Sequence, residues 1–351
     1  MKKKMMTAAF LAALLLTACG STGTVDSIAE NGDTPVESQT ADKPTADHHS
    51  ECATLDPTTG ILTLSGKVTQ ADLEPYSDNE EVKTIYAMEG TVFPEDCSKL
   101  FYDFLDVETI DISQADTSAA TNMAYMFASC MDATEIKLGN IDTSHVTTMD
   151  YMFWECRDVL SLDLSGLDSS SVETLDYMFS SCWSVQNINL TGFSCPNAKS
   201  AKYMFEDCGS LPELDVSGMD MSNLVTMESM FEDCASLKEL DLSAWNTPNL
   251  GSMFRTFNCC RSLQKLDLSG LSTEKCIMLM NDIFNGCEEL TTIIVSDKWV
   301  LEGDARLSKD PFLGCVKLVG GNGTVYDESK NSPEFMRIDT PEAPGLFTAA
   351  G

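Results

Sequence analysis

The sequence predicts an α/β solenoid of about nine coils, with a parallel β-sheet on its concave side and short helices on its convex side. The first observation is a repeat. MFEDCGSLPELDVSGM at Met204–Met219 returns nearly verbatim, 26 residues on, as MFEDCASLKELDLSAW at Met230–Trp245. A fixed period of ~20–50 residues marks stacked coils. The second is a ladder of Phe-x-x-Cys: Phe127 and Cys130, Phe153 and Cys156, Phe179 and Cys182, Phe205 and Cys208, Phe231 and Cys234. It continues with Phe257 and Cys260, Phe284 and Cys287, then Phe312 and Cys315; the first five steps between cysteines are 26 residues, the last two 27 and 28. The third is a phrase L-x-x-L-x-L that begins three residues past each cysteine, clearest at Leu237, Leu240, Leu242 and at Leu263, Leu266, Leu268.

Each element follows from its residues. The last four positions of the leucine phrase alternate apolar and polar, as a short strand with one buried face does. A Ser-Gly type of turn comes next, as at Ser165-Gly166 and Ser269-Gly270. In the stretch after it, Thr143 or Ser144 can cap, and Val146, Met149, Met152 and Phe153 recur at three to four, the spacing of an amphipathic helix. Strands are expected near Ile85, Ile110, Ile136, Leu162, Ile188, Leu214, Leu240, Leu266 and Ile293. One unit cannot bury its apolar edge alone. Stacked units can, because strands pair at ~4.8 Å and equivalent side chains form ladders through the interior.

The phrase L-x-x-L-D-L-S followed by T-S-x-V-x-x-M-x-x-M-F-x-x-C resembles the leucine-rich repeat of BspA-type bacterial surface proteins. Thr59–Gly66 is similar to the small β element before the first coil in such proteins, and Leu318–Thr348 to their usual ending. The resemblance spans roughly residues 52–348. It implies a surface protein that adheres to host extracellular-matrix or other cell-surface proteins. The array departs from the pattern at its edges, where Phe104 replaces a cysteine and Thr256, Ile283 and Pro311 replace the Met before Phe.

The start of the chain has a separate logic. Lys2, Lys3 and Lys4 precede an apolar run, Ala8–Leu16, too short to span a bilayer, and Leu16-Thr17-Ala18-Cys19 follows. That order resembles the lipobox of bacterial lipoproteins, which implies cleavage before Cys19 and a diacylglycerol on its thiol. The expected organisation is a signal peptide at 1–18, a lipidated disordered tether at 19–51, an N-terminal β cap at 52–81, the solenoid at 82–317 and a C-terminal cap at 318–351. A polar coil of the tether's length would hold the folded part on the order of 30 Å from a membrane. The expected localisation is the outer side of the cell membrane, reached through the lipid alone, and the expected state is a monomer.

The net charge of −33 disfavours nucleic acid and anionic lipid as electrostatic partners. It favours cationic partners, bound metal ions or simply a solvated surface. The 14 cysteines would suggest disulfides in an exported chain. Eight of them share one interior slot, however, and the side chains of stacked coils run parallel, so these read as buried thiols. Cys52 and Cys97, beside the N-terminal cap, are the pair best placed for a disulfide.

The three histidines, His48, His49 and His145, cannot build a triad, and no phosphate loop or distinct carboxylate pair stands out, so no enzyme is expected. A binding surface is easier to find. Glu213, Asp215, Glu239 and Asp241 would place four carboxylates on the sheet face of adjacent coils, where like charges repel. A calcium ion, a basic ligand, or hydrogen bonds from Ser217 and Ser243 would offset that. Trp154 and Trp183 fall in outward slots of adjacent coils, as anchors for a partner or as edge packing. The functional expectation is a surface-displayed interaction module; the alternative is a structural envelope lipoprotein without a host ligand.

Overall fold

The computed structural model describes residues 51–276, 280–301, 303 and 308–351. Cys19, the signal segment, His48, His49 and all but the end of the tether lie outside them. The described chain is a parallel β-solenoid. An antiparallel pair, β1 (Ala53–Asp56) and β2 (Ile61–Leu64), starts it, and one helix, α1 (Gln70–Ser77), crosses over to β3 (Thr84–Ala87). Thr69 donates both its N–H and its hydroxyl to the Asp72 carboxylate at the helix start, and the Tyr76 hydroxyl ties the helix back to Ala53. Short strands follow, one in each coil except that of Leu214: β4 (Thr109–Asp111), β5 (Glu135–Lys137), β6 (Ser161–Asp163), β7 (Asn187–Asn189), β8 (Glu239–Asp241), β9 (Lys265–Asp267) and β10 (Thr292–Val295). The last strand, β11 (Thr348–Ala349), comes from the C-terminal cap and pairs with β10.

The core is a set of side-chain columns. Phenylalanines from Phe101 through Phe312 stack ring on ring at 5.3–5.8 Å with planes within 12°. Beside them the cysteine column is fully buried. Each thiol donates to the phenylalanine carbonyl of the preceding coil, as Cys156 does to Phe127 and Cys182 to Phe153, both at 3.2 Å. Burial pushes the Cys182 thiol up to about 12 and Cys156 well above its ordinary value, so the column stays protonated. Cys97 is also a thiol, donating to Pro94 at 3.1 Å, and the expected bridge to Cys52 is not formed.

The convex side corrects the expectation of helices. After each turn the chain makes single-residue parallel bridges (Asn122 to Thr148 to Thr174 to Ser200 to Thr226 to Ser252) and then a run of tight turns. Within it the amides alternate. Met152, Trp154 and Cys156 donate three residues back, to Met149, Tyr151 and Phe153, while Met149, Tyr151, Phe153 and Glu155 donate to the next coil. An α-helix would spend every amide inside its own coil. Here two residues per coil, such as Tyr151 (φ 58°) and Glu155 (φ 56°), take the left-handed conformation that interrupts a helix and turns half the amides toward the neighbour. The spacing of Val146, Met149, Met152 and Phe153 therefore comes from successive turns.

The strand ladder is interrupted at two coils, both with a sequence cause. Residues 213–215 flank Leu214, where a strand was expected, yet are not one. Pro212 precedes them and has no N–H to give to the previous coil, a bond that Gln186 makes to Leu160. The second gap separates β5 from β6. In six other coils an Asp or Asn at the equivalent position accepts the amide two residues on, as Asp111 does from Ser113 and Asp163 from Ser165. Lys137 and Gly139 (φ 64°) stand in those places in the β5 coil. Amide exchange at Leu138 and Val216 should accordingly be about tenfold faster than at Leu164 and Leu242, which donate to Asn189 and Asp267. Equal protection by mass-spectrometric exchange would contradict this account of the gaps.

Candidate functional site

The repeat presents two outward surfaces, the sheet face and the turn face. On the sheet face, Glu239 and Asp241 lie on β8, with Glu213 and Asp215 in the irregular segment of the preceding coil. The aspartates are engaged locally. Asp215 accepts the Ser217 amide at 2.9 Å and Asp241 the Ser243 amide at 2.8 Å. The serine hydroxyls and amides hold both carboxyls below their usual range. Lys265 on β9 also acts on Asp241. Among the described residues, no three His, Cys, Asp or Glu side chains are grouped to hold a metal ion. Where the sheet opens between β5 and β6, a groove of about 440 Å³ is lined by Lys137, Asn140, Ser161 and Asp163, and the exposed Lys137 pairs with Glu135 at 2.9 Å.

Trp154 and Trp183 belong to the turn face, so the six residues singled out from the sequence do not form one site. Trp154 packs edge-on against Tyr151, with centroids 6.0 Å apart. Trp183 is 41% exposed and carries the Arg157 guanidinium over its ring at 4.5 Å. Beside Trp154 runs a feature that reasoning from the sequence missed. Tyr125, Tyr151, Tyr177 and Tyr203 stack face to face at 4.4–4.5 Å. Lys99 sits over the first of these rings. Burial, then the charges of Tyr203, Glu206 and Asp176, pushes the Tyr177 hydroxyl up to about 12 against the opposing bond from Tyr151. The signal was present as a tyrosine two places before each Phe in four successive repeats.

The tyrosine row ends at Ser229, and there the turn face becomes acidic. Glu206 and Asp207 stand in one coil, Glu232 and Asp233 in the next. Glu232 is held between the Arg255 guanidinium at 2.7 Å and the Asn258 amide at 2.9 Å, and Glu206 accepts the Ser180 hydroxyl at 2.7 Å. Burial, opposed by the Ser180 bond and helped by Asp207, Glu232 and Asp233, raises Glu206 to about 7. Burial and the charges of Asp207 and Glu232 raise Asp233 to about 6. A folded value above the unfolded one means that the ionised group opposes folding at high pH, and that this penalty fades as pH falls toward the ordinary carboxyl range. Glu206→Gln should thus raise the melting temperature at pH 8 and leave it unchanged near pH 4.5. A calorimetric gain equal at both values would exclude the charge as its cause.

His145 is exposed, with its Nδ1 3.1 Å from the Ser144 hydroxyl, which donates to the Asp142 carboxylate at 2.7 Å. No helix among the described residues is long and apolar enough to cross a membrane.

Comparison with curated proteins finds no match. Among solved structures the chain is similar to a leucine-rich repeat protein of Eubacterium ventriosum, at 13% identity over 79% of this chain and 89% of that one, with a TM-score of 0.31. It is also similar to a leucine-rich repeat protein of Leptospira interrogans (12% identity, 70% and 68% covered, TM-score 0.28). A third, from Bacteroides ovatus, shares 16% identity over 74% of this chain and 82% of that one, with a TM-score of 0.28. A family model matches residues 95–214 and again 199–309, more than half the length. The chain belongs to the family described as Mycoplasma protein of unknown function, DUF285.

Proposed function

We propose that this protein is a lipid-anchored, surface-displayed leucine-rich repeat module that binds other proteins through the exposed rows of its solenoid. The observation that carries the reading is how the coils divide their residues. Phe, Cys and Leu columns are spent on the core, while the intervening positions form continuous outward rows of carboxylates, amides and aromatic rings. An array of this kind offers an extended surface for binding. Lys2–Lys4, the apolar run and Leu16-Thr17-Ala18-Cys19 support export and a diacylglyceryl anchor.

Two experiments test the two halves. Cys19→Ser should release the chain from the membrane fraction and abolish incorporation of labelled fatty acid; continued membrane association would rule out the anchor. Saturation binding of the purified full-length chain to immobilised fibronectin, fibrinogen and mucin, in calcium or chelator, tests adhesion. Saturable binding that weakens at least tenfold in the quadruple alanine variant of Glu213, Asp215, Glu239 and Asp241 supports the sheet face as the contact. Binding lost in chelator would add calcium at that face.

A further inference from the structure

We propose that the step between Trp183 and Gly209 is a saccharide shelf, on which a neutral hexopyranose ring stacks against the indole. This goes beyond the protein-binding reading, since the ligand is a sugar, free or carried on a glycoprotein. The residues that follow the ladder cysteines form a column: Met131, Arg157, Trp183, Gly209, Ala235, Arg261. The Arg157 guanidinium, paired with Glu155 at 3.2 Å, lies 4.5 Å from the Trp183 ring centre and backs the face turned to the preceding coil. The opposite face looks toward Gly209, which has no side chain to cover it, and Trp183 stays 41% exposed. A Cβ at Gly209 would meet only the Asp233 carbonyl, at 3.9 Å, so the space above the glycine is open.

The backbone opens at the same step. Ser184 donates its amide to Arg157 at 3.0 Å and Ser262 to Ala235 at 3.2 Å, but the equivalent bonds from Ser210 to Trp183 and from Ser236 to Gly209 are not made. Two amides and two carbonyls are left there without that inter-coil partner. Side chains add to them. Ser184, Ser210, Ser236 and Ser262 form the neighbouring column, and among the described residues the Ser210 and Ser236 hydroxyls are bonded to nothing. Ser180 and Ser200, by contrast, donate to Glu206 and Asp176. The Trp183 indole N–H is likewise uncommitted among the described residues, whereas those of Trp245 and Trp299 are spent on the Val216 and Met336 carbonyls.

These features select the ligand. A hexopyranose carries axial C–H bonds on one face and hydroxyls around its rim. The C–H patch rests on the electron-rich face of an indole, while hydroxyls that both donate and accept meet the serines and the open backbone groups. Arg157 holds the indole in place before the ligand arrives, so little further order is lost on binding. An apolar side chain of a partner fits less well, because serines and bare backbone rim the shelf where a water-excluding apolar surround would be needed. Anionic sugars and nucleotides are disfavoured by the net charge of −33.

The test is a saturation-transfer NMR titration of cellobiose, lactose and diacetylchitobiose with the full-length chain. Saturable binding of at least one is expected, with the strongest transfer to the C–H protons of a single ring face. Trp183→Ala should weaken it at least tenfold, and Trp183→Phe, which keeps a smaller ring, less. Gly209→Leu covers the shelf without touching the indole and should also weaken it at least tenfold. Gly218→Leu, where an added Cβ again meets open space, should change it less than twofold. Melting curves confirm that each variant folds. No saturation by any of the three sugars, or equal weakening by the two glycine variants, would overturn the shelf. Binding to mucin that depends on Trp183 yet survives enzymatic removal of the glycans would overturn the saccharide in favour of a protein side chain. Failure with the sugars alongside retained binding to fibronectin or fibrinogen removes this site and leaves the protein-binding function standing.

Discussion

Phe205→Ala should cost about 3–5 kcal/mol of unfolding free energy, the range for emptying a well-packed aromatic site. Phe205 is fully buried between Phe179 at 5.3 Å and Phe231 at 5.6 Å. Neither neighbour can close the gap, because the backbone of each is pinned to the coil that follows it: the Phe179 amide donates to Met204 and the Phe231 amide to Thr256. The void persists in the middle of the array, where every coil supports the next. Phe205→Leu refills part of it and should lose about 1–2 kcal/mol. Urea denaturation measures both, and amide exchange should show new openings centred on the two coils beside residue 205. A loss under 1 kcal/mol for the alanine variant would mean that the stack fills space without holding the coils together.

Much of this fold could be read from the residues because its determinants are columnar. Phe205 and Cys208 recur with Phe231 and Cys234 at one period, and any apolar slot repeated that faithfully must face the interior. Eight of the nine expected strand centres fall on strands, and the missing one, Leu214, lies two residues after Pro212, whose effect the periodic pattern hid. The convex turns were not legible. Their left-handed positions hold Tyr151, Glu155, Tyr177 and Ser181, with no glycine to announce them, and inter-coil hydrogen bonds stabilise a conformation that local preference disfavours. The spacing that remains, three to four, is the same one a helix would leave. The acidic cluster was hidden in a different way. Glu-Asp inside the repeated MFEDC phrase looks like ordinary solvated charge in so acidic a chain, and only the stacking of two such coils against Asn258 and Arg255 buries Glu232.

Asp339→Ala should be comparably severe, about 3–5 kcal/mol, for a polar reason rather than a packing one. The carboxylate is 6% exposed inside the C-terminal cap. It accepts the amides of Asn322 and Thr324 at 2.9 Å, the Thr324 hydroxyl at 2.7 Å and the Gly345 amide at 3.2 Å. Its fit is close enough that a Cβ on Gly320 would fall 2.7 Å from the Asp339 side chain. Removing the acceptor strands three amides and a hydroxyl, and with them the loop that presents Phe347 to Phe312, Phe284 and Trp299 at the end of the stack. Burial alone would raise the carboxyl, but the bonds from Thr324, Gly345 and Asn322 outweigh it and the value lies below the usual range. A depressed folded value stabilises above the unfolded one, near pH ~4, and that stabilisation is lost as pH falls through the folded value. The sign is opposite to that at Glu206 and Asp233, so stability should climb from pH 8 to about pH 5 and fall steeply in stronger acid. The cost of Asp339→Ala should therefore be full at pH 7 and smaller at pH 3 in paired urea titrations. A cost that does not change between the two would make Asp339 a space-filling residue and leave the acid limb of the stability curve to the other carboxylates.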